Sequence, residues 1–218
     1  MKVEFQCTDS TLSHLEISTL LNTIDKYTFV TKVACLPPYV SYIKKKIENK
    51  KISSIIDFPL GVLDTNQKLD IIKSSIDAGA TSIEIVMPSF LINNNQHYKL
   101  KSDIEKCYGL CIDRGVNLHY ILEYRSYNYS CLYRLIKKLM KFDLNEIYIS
   151  TGHQLDDIYD HLIAIGIIRK EISDLNIVCN ANIYNENHLD LLKKHKIEQF
   201  RVKSVHALEI VSQKRNFS

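Results

Sequence analysis

The sequence predicts an α/β fold in which strands and helices alternate along one domain. Three observations support this prediction: short apolar runs rich in β-branched residues recur along the chain, longer amphipathic segments separate them, and no linker interrupts the series. The chain has 218 residues, of which 45% are hydrophobic and 24% are charged. That length suits a single domain with a sizeable core, so we expect one domain over residues 1–218.

Eight runs have the near-continuous apolar pattern of strands that are buried on both faces. They are 2–7, 29–36, 53–58, 82–87, 117–123, 146–150, 176–181 and 199–202. Helical periodicity follows each of them, at about 10–25, 39–50, 66–78, 98–114, 127–141, 154–172, 186–195 and 204–213. A helix after every strand requires parallel strands. Eight such units are typical of a (β/α)8 TIM barrel, and a doubly wound open sheet is the alternative.

Residues typical of helix ends support these assignments. Asp64 and Thr65 precede an apolar repeat that Gly79 closes, and Gly115 closes the next long helix. Asp9 and Ser10 are predicted to begin the first helix for the same reason.

Composition excludes several classes of protein. The 28 basic and 25 acidic residues give a net charge of only +3, and no broad basic surface predicts nucleic-acid binding. No apolar run reaches the ~18 residues of a membrane span, and the first residues lack the apolar centre of a signal peptide. We therefore expect a cytoplasmic protein with reduced cysteines. Cys107 and Cys111 lie four apart on a predicted helix, but packing explains them better than a metal does.

In a barrel of this kind the active site lies at the carboxyl ends of the strands. Polar residues at those positions are therefore the functional candidates. They are Cys7, Thr8, Cys35, Asp57, Glu84, His119, Glu123, Tyr148, Ser150, Thr151, Asn180, Asn182, Lys203 and Ser204.

Five segments in order resemble the deoxyribose-phosphate aldolase (DeoC-like) family of class I aldolases. Residues 33–40 resemble its second strand and Cys-x-x-Pro turn, and residues 54–61 resemble Val-Ile-Gly-Phe-Pro-Leu-Gly. Residues 78–86 resemble Gly-Ala-x-Glu-Ile-Asp-x-Val, and residues 118–123 resemble Leu-Lys-Val-Ile-x-Glu. Residues 147–152 resemble Ile-Lys-Thr-Ser-Thr-Gly. The resemblance covers roughly residues 1–212 and implies a barrel fold and a lyase activity.

The chain departs from this family at its reactive positions. The resemblance places Tyr148 at the Schiff-base lysine and Asn180 at the second catalytic lysine. It places Glu84 at the catalytic aspartate and His119 at the lysine of the fifth strand. A phenol cannot form an imine with a carbonyl, so the usual aldol reaction on deoxyribose 5-phosphate is not expected.

The glycines that would hold a phosphate are also missing. The chain contains six glycines, and the resemblance puts Asn182, Ile183 and Lys203 where the family has phosphate-binding glycine turns. Gly152 alone remains of these turns. Without glycine, backbone N–H groups do not close around a phosphate, so we expect a non-phosphorylated substrate.

The residues that replace the lysines predict acid/base chemistry on a small carbonyl compound, without a cofactor or metal. Glu84 and His119 would transfer protons, Tyr148 would donate to an oxyanion, and Asn180 would polarise a carbonyl. These four catalytic candidates are expected to point into the barrel mouth together. The substrate-binding candidates are Cys35, Asp57, Ser150, Gly152, Asn182 and Lys203.

Other interpretations of single residues stay open at this point. Glu84 and His119 form a structural pair in one of them, and Tyr148 only fills the volume of the lost lysine in another. In a third interpretation, Asp57 caps the turn that follows it instead of binding substrate. In a fourth, Lys203 carries a relocated Schiff base.

The alternative to an enzyme is an inactive aldolase-like protein that binds a ligand or a partner subunit. A small molecule is the expected ligand, with no nucleic acid and no membrane as partner. The resemblance implies a homodimer. The shape of the mouth separates the two hypotheses, because an open polar pocket favours an enzyme and a plugged one favours a binding role.

Overall fold

The computed structural model describes residues 1–154, 157–180 and 182–216, and its strands form one parallel sheet. The order in the sheet is β7-β6-β5-β4-β3-β2-β1-β8, so each strand lies beside its neighbour in sequence. A single bridge between Cys179 and Phe200 joins the regions of β7 and β8 and nearly closes the sheet. The prediction of a single (β/α)8 TIM barrel is confirmed.

The strand bounds agree with the predicted runs to within a few residues. They are β1 (Lys2–Cys7), β2 (Val30–Cys35), β3 (Lys51–Ile56), β4 (Ser82–Val86), β5 (Asn117–Ile121), β6 (Glu146–Tyr148), β7 (Asn176–Val178) and β8 (Gln199–Val202). Strands β2 to β7 end one to three residues earlier than predicted. The end of the seventh predicted strand, Ala181, lies outside the described residues.

The helices surround the sheet on its outer side. They are α1 (His14–Asp25), α2 (Val40–Lys46), α3 (Thr65–Asp77), α4 (Ser89–Asn93), α5 (His97–Asp113), α6 (Tyr129–Met140), α7 (Ile158–Glu171), α8 (Glu186–Lys194) and α9 (Val205–Asn216). The short α4 was not predicted. Within the described part of the chain, none of these helices has the length and apolar character that a membrane crossing requires.

The helix caps follow the sequence signals, with one correction. Asp64 caps α3 and forms a reciprocal capping box with Gln67, as predicted for that helix. Helix α1 begins later than expected, because Ser13 and Glu16 form the capping box there instead of Asp9 and Ser10. Gly79 and Gly115 follow α3 and α5 with positive φ angles of 102° and 67°.

Successive side chains of each strand alternate between two separate environments. Outward residues such as Val33, Ile83 and Ile147 pack against the helices in the main hydrophobic core. Inward residues are mostly polar at both ends of the barrel and apolar in a layer between them. This apolar layer consists of Ala34, Ile55, Val86, Ile121, Val178 and the ring of Tyr148, with Phe58 packed against it.

Candidate active site

A network of charged side chains fills the barrel below the apolar layer, on the side of the strand beginnings. Arg201 on β8 donates to both oxygens of Glu84 at 2.7 Å. The same guanidinium donates to Glu4 through Nε at 3.0 Å and through Nη2 at 2.6 Å. All three side chains are fully buried, with exposed fractions of 1% or less. Two carboxylates thus share one guanidinium.

Tyr148 and Lys32 complete this network. The amine of Lys32 lies 2.8 Å from a Glu4 oxygen and donates to the Tyr148 hydroxyl at 2.7 Å. That hydroxyl donates to Glu4 at 3.1 Å, and the guanidinium carbon of Arg201 lies 4.1 Å from the centre of the phenol ring. We call Glu4, Lys32, Glu84, Tyr148 and Arg201 the charged layer. Every one of these side chains has a partner of opposite charge or a hydrogen-bond partner.

The electrostatics of the charged layer keep its carboxylates ionised. Burial alone would raise the pKa of Glu84, but the guanidinium of Arg201 and its hydrogen bonds outweigh burial and hold that pKa at about 2. The pKa of Glu4 is lowered in the same way, since Arg201 and Lys32 outweigh burial. Burial raises the pKa of Tyr148 well above its ordinary value. A Glu84 of this kind is a poor proton acceptor near neutral pH.

The expectation that Glu84, His119, Tyr148 and Asn180 meet in one open mouth is wrong. Glu84 lies beneath the apolar layer, and the hydroxyl of Tyr148 extends below that layer to Glu4; both side chains are fully buried. His119 lies at the opposite end of the barrel, where its Nδ1 is 3.5 Å from Glu146. Only Asn180 stands at the carboxyl-terminal mouth. The physical reason is the position along each strand: His119 is the third residue of β5, whereas Asn180 follows the end of β7.

The carboxyl-terminal mouth contains a cleft of about 600 Å³, which we call the mouth cleft. Its polar wall includes Gln6, Thr8, Gly152, His153 and Lys203, and Leu36, Phe58 and Pro59 form part of its apolar wall. The amine of Lys203 donates to the carbonyl oxygen of Gly152. Lys203 therefore faces a cleft large enough for a small organic molecule.

Gly152 lets Lys203 and Asn180 approach the turn after β6. Its φ of 70° is a left-handed conformation that glycine adopts without strain. A Cβ at this position would lie 2.7 Å from Lys203 Nζ and 2.8 Å from Asn180 Nδ2. The glycine that survives from the family's turn is therefore needed for the geometry of this mouth.

The orientation of the Asn180 amide follows from its neighbours. Its Nδ2 donates to the backbone oxygen of Ser150 at 3.3 Å and to Gln6 Oε1 at 2.9 Å. Gln6 is fixed in turn because its own amide nitrogen donates to the backbone oxygen of Thr151. Asn180 Oδ1 is buried, and no described residue donates to it. The amide therefore presents an acceptor, so the expectation that Asn180 polarises a carbonyl does not fit its hydrogen bonds.

The turn after β6 is held from below by one carboxylate. Glu123 Oε2 accepts hydrogen bonds from the backbone N–H and the hydroxyl of Thr151, at 3.0 and 2.7 Å. The Ser150 hydroxyl lies 3.3 Å from the same oxygen and accepts from the N–H of Gly152 at 3.0 Å. Ser150 is completely buried, so it supports the turn and does not line the cleft.

The remaining substrate-binding candidates lie apart from the mouth cleft. Cys35 is fully buried on the helix-facing side of β2, where burial raises the pKa of its thiol. Asp57 accepts the N–H groups of Val62 and Leu63 at 2.8 and 2.9 Å, so it caps the turn after β3. Asn182 lines a neighbouring surface pocket, which shares His153 with the mouth cleft. Of the six predicted residues, Gly152 and Lys203 line the mouth cleft.

Sequence reasoning missed Glu4 and Lys32 of the charged layer, and also Arg201, Gln6 and His153. Arg201 and Gln6 occupy inward positions of β8 and β1, and their polar character within apolar runs was the available signal. His153 follows Gly152 directly and lines the mouth cleft, where its ring meets Phe58 edge to face at 5.7 Å. Across the described residues, no three His, Cys, Asp or Glu side chains group closely enough to hold a metal ion.

The fold is a TIM barrel. Comparison of the chain with known proteins identifies its relatives. The deoxyribose-phosphate aldolase of Mycoplasmoides pirum is 27% identical over 223 residues, covering 92% of this chain and 90% of that protein. The aldolase of the same name from Thermococcus kodakarensis is 27% identical over 94 residues, which span 41% of this chain and less than half, 42%, of that relative. No protein-family model matches the chain.

The fold comparison agrees with the sequence comparison. The solved structure of a tetrameric deoxyribose phosphate aldolase from Aeropyrum pernix superposes with a TM-score of 0.82 at 16% identity. The superposition covers 100% of this chain and 91% of that one. The resemblance indicated by the motifs is thereby confirmed, and the chain is a DeoC-like relative of the deoxyribose-phosphate aldolases.

Proposed function

We propose that this protein is an aldolase-like lyase that cleaves or forms a C–C bond in a small, non-phosphorylated carbonyl compound. The observation that carries the proposal is the mouth cleft, which Lys203, Gly152 and His153 line at the end of an aldolase-type barrel. The reaction uses acid/base chemistry. It does not use an imine on β6, because Tyr148 occupies that position and is bound within the charged layer.

Lys203 is the group we assign to the carbonyl of the substrate. A positive amine beside a carbonyl oxygen stabilises the negative charge that develops there when the adjacent C–C bond breaks. His153, which lines the same cleft, supplies an acceptor for a substrate hydroxyl. A β-hydroxy carbonyl compound presents both groups and is the substrate class that we propose.

His153 is the proposed proton acceptor, because it lines the same cleft as Lys203. In the cleavage direction the imidazole takes the proton of the β-hydroxyl, and the C–C bond between the hydroxyl-bearing carbon and the α-carbon breaks. The electron pair passes to the carbonyl oxygen as an enolate beside Lys203. The proton then returns to the α-carbon, so the products are two carbonyl compounds and no other reactant is needed.

The acid/base roles that the sequence predicts for Glu84, His119 and Tyr148 remain predictions, and one variant tests them against the mouth cleft. Tyr148→Phe removes the phenol oxygen without opening the apolar layer. If catalysis occurs in the mouth cleft, kcat changes by less than about 3-fold. A loss of several orders of magnitude would assign the chemistry to the charged layer instead.

An inactive, ligand-binding barrel is the second candidate function. It is favoured by the burial of Glu84 and Tyr148, which leaves two of the family's reactive positions without access to the mouth. In this case the mouth cleft binds a small carbonyl compound without converting it. For both candidate functions we propose a homodimer, on the basis of the family resemblance.

The test of both candidates combines turnover, binding and trapping on a panel of small aldehydes and β-hydroxy carbonyl compounds, with and without phosphate. We expect turnover of a non-phosphorylated member that falls about 100-fold or more in Lys203→Met and His153→Gln. The exposed Lys137→Met is the matched control and should retain full activity.

Borohydride treatment with the substrate separates the mechanisms. No adduct is expected on any lysine if the chemistry is acid/base. A stable adduct on Lys203 would contradict that mechanism and establish a relocated Schiff base. Binding without turnover across the whole panel would contradict the lyase proposal and favour the inactive barrel.

A further inference from the structure

A second polar cavity opens at the amino-terminal end of the barrel, on the side opposite the mouth cleft. Its volume is about 400 Å³, and its walls are the first residues of several strands. Lys32, His119 and Gln199 reach it from inside the barrel, and Lys2 and Lys51 stand at its rim. We call it the amino-terminal cavity. In TIM barrels the active site lies at the carboxyl-terminal ends of the strands, so the polar lining of this cavity needs another explanation.

The two carboxylates of this cavity are already held by neighbouring groups. Glu4 accepts hydrogen bonds from Gln199 at 2.6 Å as well as from Arg201 and lies 2.8 Å from the Lys32 amine. Glu146 accepts from Asn176 at 2.7 Å and lies 3.5 Å from His119. A cation entering the cavity would have to compete with these partners.

The positive groups at the rim have no such partners. Among the described residues, no ion pair joins Lys2 or Lys51 to an acidic side chain, and both are exposed. Arg201 and Lys32 balance Glu4 and Glu84, so Lys2 and Lys51 outnumber Glu146, the remaining carboxylate of the cavity lining, and the potential inside the cavity favours negative charge.

Ser82 supplies an independent observation that points to a ligand. It is the first residue of β4, lines the amino-terminal cavity and is only 4% exposed. Its hydroxyl is buried, and the described residues offer it no hydrogen-bond partner. A buried polar group without a partner costs free energy, unless a ligand or solvent in the cavity satisfies it.

We propose that the amino-terminal cavity is a binding site for a small oxyanion, a carboxylate or a phosphate. The Ser82 hydroxyl donates to the oxyanion, and the rim lysines Lys2 and Lys51 balance its charge. The site is separate from the mouth cleft, since the charged layer and the apolar layer lie between the two ends of the barrel. Its occupancy does not depend on the proposed lyase activity.

The neighbourhood of His119 gives this site a spectroscopic readout. Burial and the nearby Lys32 lower the pKa of the imidazole, whereas Glu146, Glu84 and Glu4 act in the opposite direction. An oxyanion beside the ring would raise that pKa. The resonances of His119 should therefore shift on binding, and those of His153 at the other end of the barrel should not.

The experiment titrates the full-length chain with inorganic phosphate and, separately, with acetate, by calorimetry and by NMR of the histidine rings. We expect saturable binding that Ser82→Ala weakens about 10-fold and Lys51→Met weakens several-fold. Ser82→Ala should keep the thermal stability of the parent, because it removes a hydroxyl that has no partner among the described residues. A response to acetate alone identifies a carboxylate site, and a response to phosphate alone identifies a phosphate site.

Lys203→Met serves as the matched control, because it removes a lysine at the other end of the barrel. Binding unchanged by this control and reduced by Ser82→Ala supports the proposal. Binding that Lys203→Met abolishes would place the anion in the mouth cleft and overturn it. Unchanged binding in both Ser82→Ala and Lys51→Met, or no saturable binding of either anion, would also overturn it.

Discussion

The charged layer and the mouth cleft lie on the same strands, yet their polar groups are arranged in opposite ways. In the charged layer, Arg201 binds two carboxylates and Tyr148 bridges Lys32 and Glu4, all without exposure to the mouth. At the mouth, Lys203 and His153 line a cleft of about 600 Å³. The first arrangement is satisfied by its own side chains, whereas the second borders a cavity with room for a small molecule.

Polar residues that point into the barrel are therefore not equally available as catalytic groups. A buried ion pair is costly to leave incomplete, so a barrel that contains one must satisfy it entirely. Such groups lose the freedom to change their protonation state, as the pKa of Glu84 at about 2 illustrates. Groups at the mouth carry no such requirement, and they are the ones available to a substrate.

Arg201→Met should lower the free energy of unfolding more than any other substitution proposed here. The substitution leaves Glu84 without its guanidinium and Glu4 with Lys32 as its remaining cation, so the free energy of unfolding falls by about 3–5 kcal/mol or more. Urea denaturation at neutral pH measures this change. Arg114→Met breaks an exposed ion pair with Asp77 and should cost less than about 1 kcal/mol. Equal losses in the two variants would mean that the charged layer is no more important than a surface pair.

Acid should weaken the charged layer. Because the pKa of Glu84 is about 2 in the folded protein and ordinarily 4.5, its stabilising contribution is complete above pH 4.5 and is lost as the pH falls towards 2. That loss amounts to about 3 kcal/mol in the free energy of unfolding. Denaturation curves from pH 6 to 2 measure it.

Glu84→Gln is the variant that assigns this acid dependence. Its stability should be lower at neutral pH and should fall less steeply below pH 4.5, because one titrating group is gone. The surface variant Glu105→Gln, which removes an exposed partner of Lys101, should keep the slope of the parent. A Glu84→Gln protein with the parent's slope would contradict the assignment.

Gly152→Ala should lower the free energy of unfolding less than the two changes above, and it should also alter the mouth cleft. The positive φ of 70° and the close approach of Lys203 and Asn180 should cost about 1–2 kcal/mol of unfolding free energy. Substrate binding in the mouth cleft should weaken at the same time. Gly109→Ala, inside α5 with no atom within 4 Å of the new Cβ, should instead stabilise the protein by about 0.5–1 kcal/mol. A Gly152→Ala variant that gains stability like this control would show that the turn tolerates a side chain.

Much of the fold could be predicted from the sequence because strands and helices are encoded by local periodicity. The runs at 2–7 and 199–202 match β1 and β8, and Asp64 caps α3 as expected. The start of α1 was predicted wrongly because two groups of capping residues lie close together. Ser13 prevails there since Glu16 stands three residues later and closes a capping box.

The candidate site was predictable only in part, because periodicity gives the face of a strand but not the depth of a residue in the barrel. Glu84, His119 and Tyr148 face inward, as the alternation predicts. Their depth depends on the stagger between neighbouring strands. That stagger aligns Glu84 with His119 in adjacent strands and sets both below Val86 and Ile121. No motif in the chain reports this register.

The number and order of the βα units and the family that the chain resembles follow from the sequence by itself. Each of these depends on residue identity at a position, which the chain states directly. Only the tertiary structure decided that Arg201 joins Glu4 and Glu84, and that Asn180 and Lys203 meet at Gly152. Some of these contacts join residues nearly 200 positions apart in the chain, as between Glu4 and Arg201. They form because closure of the barrel places its first and last strands side by side.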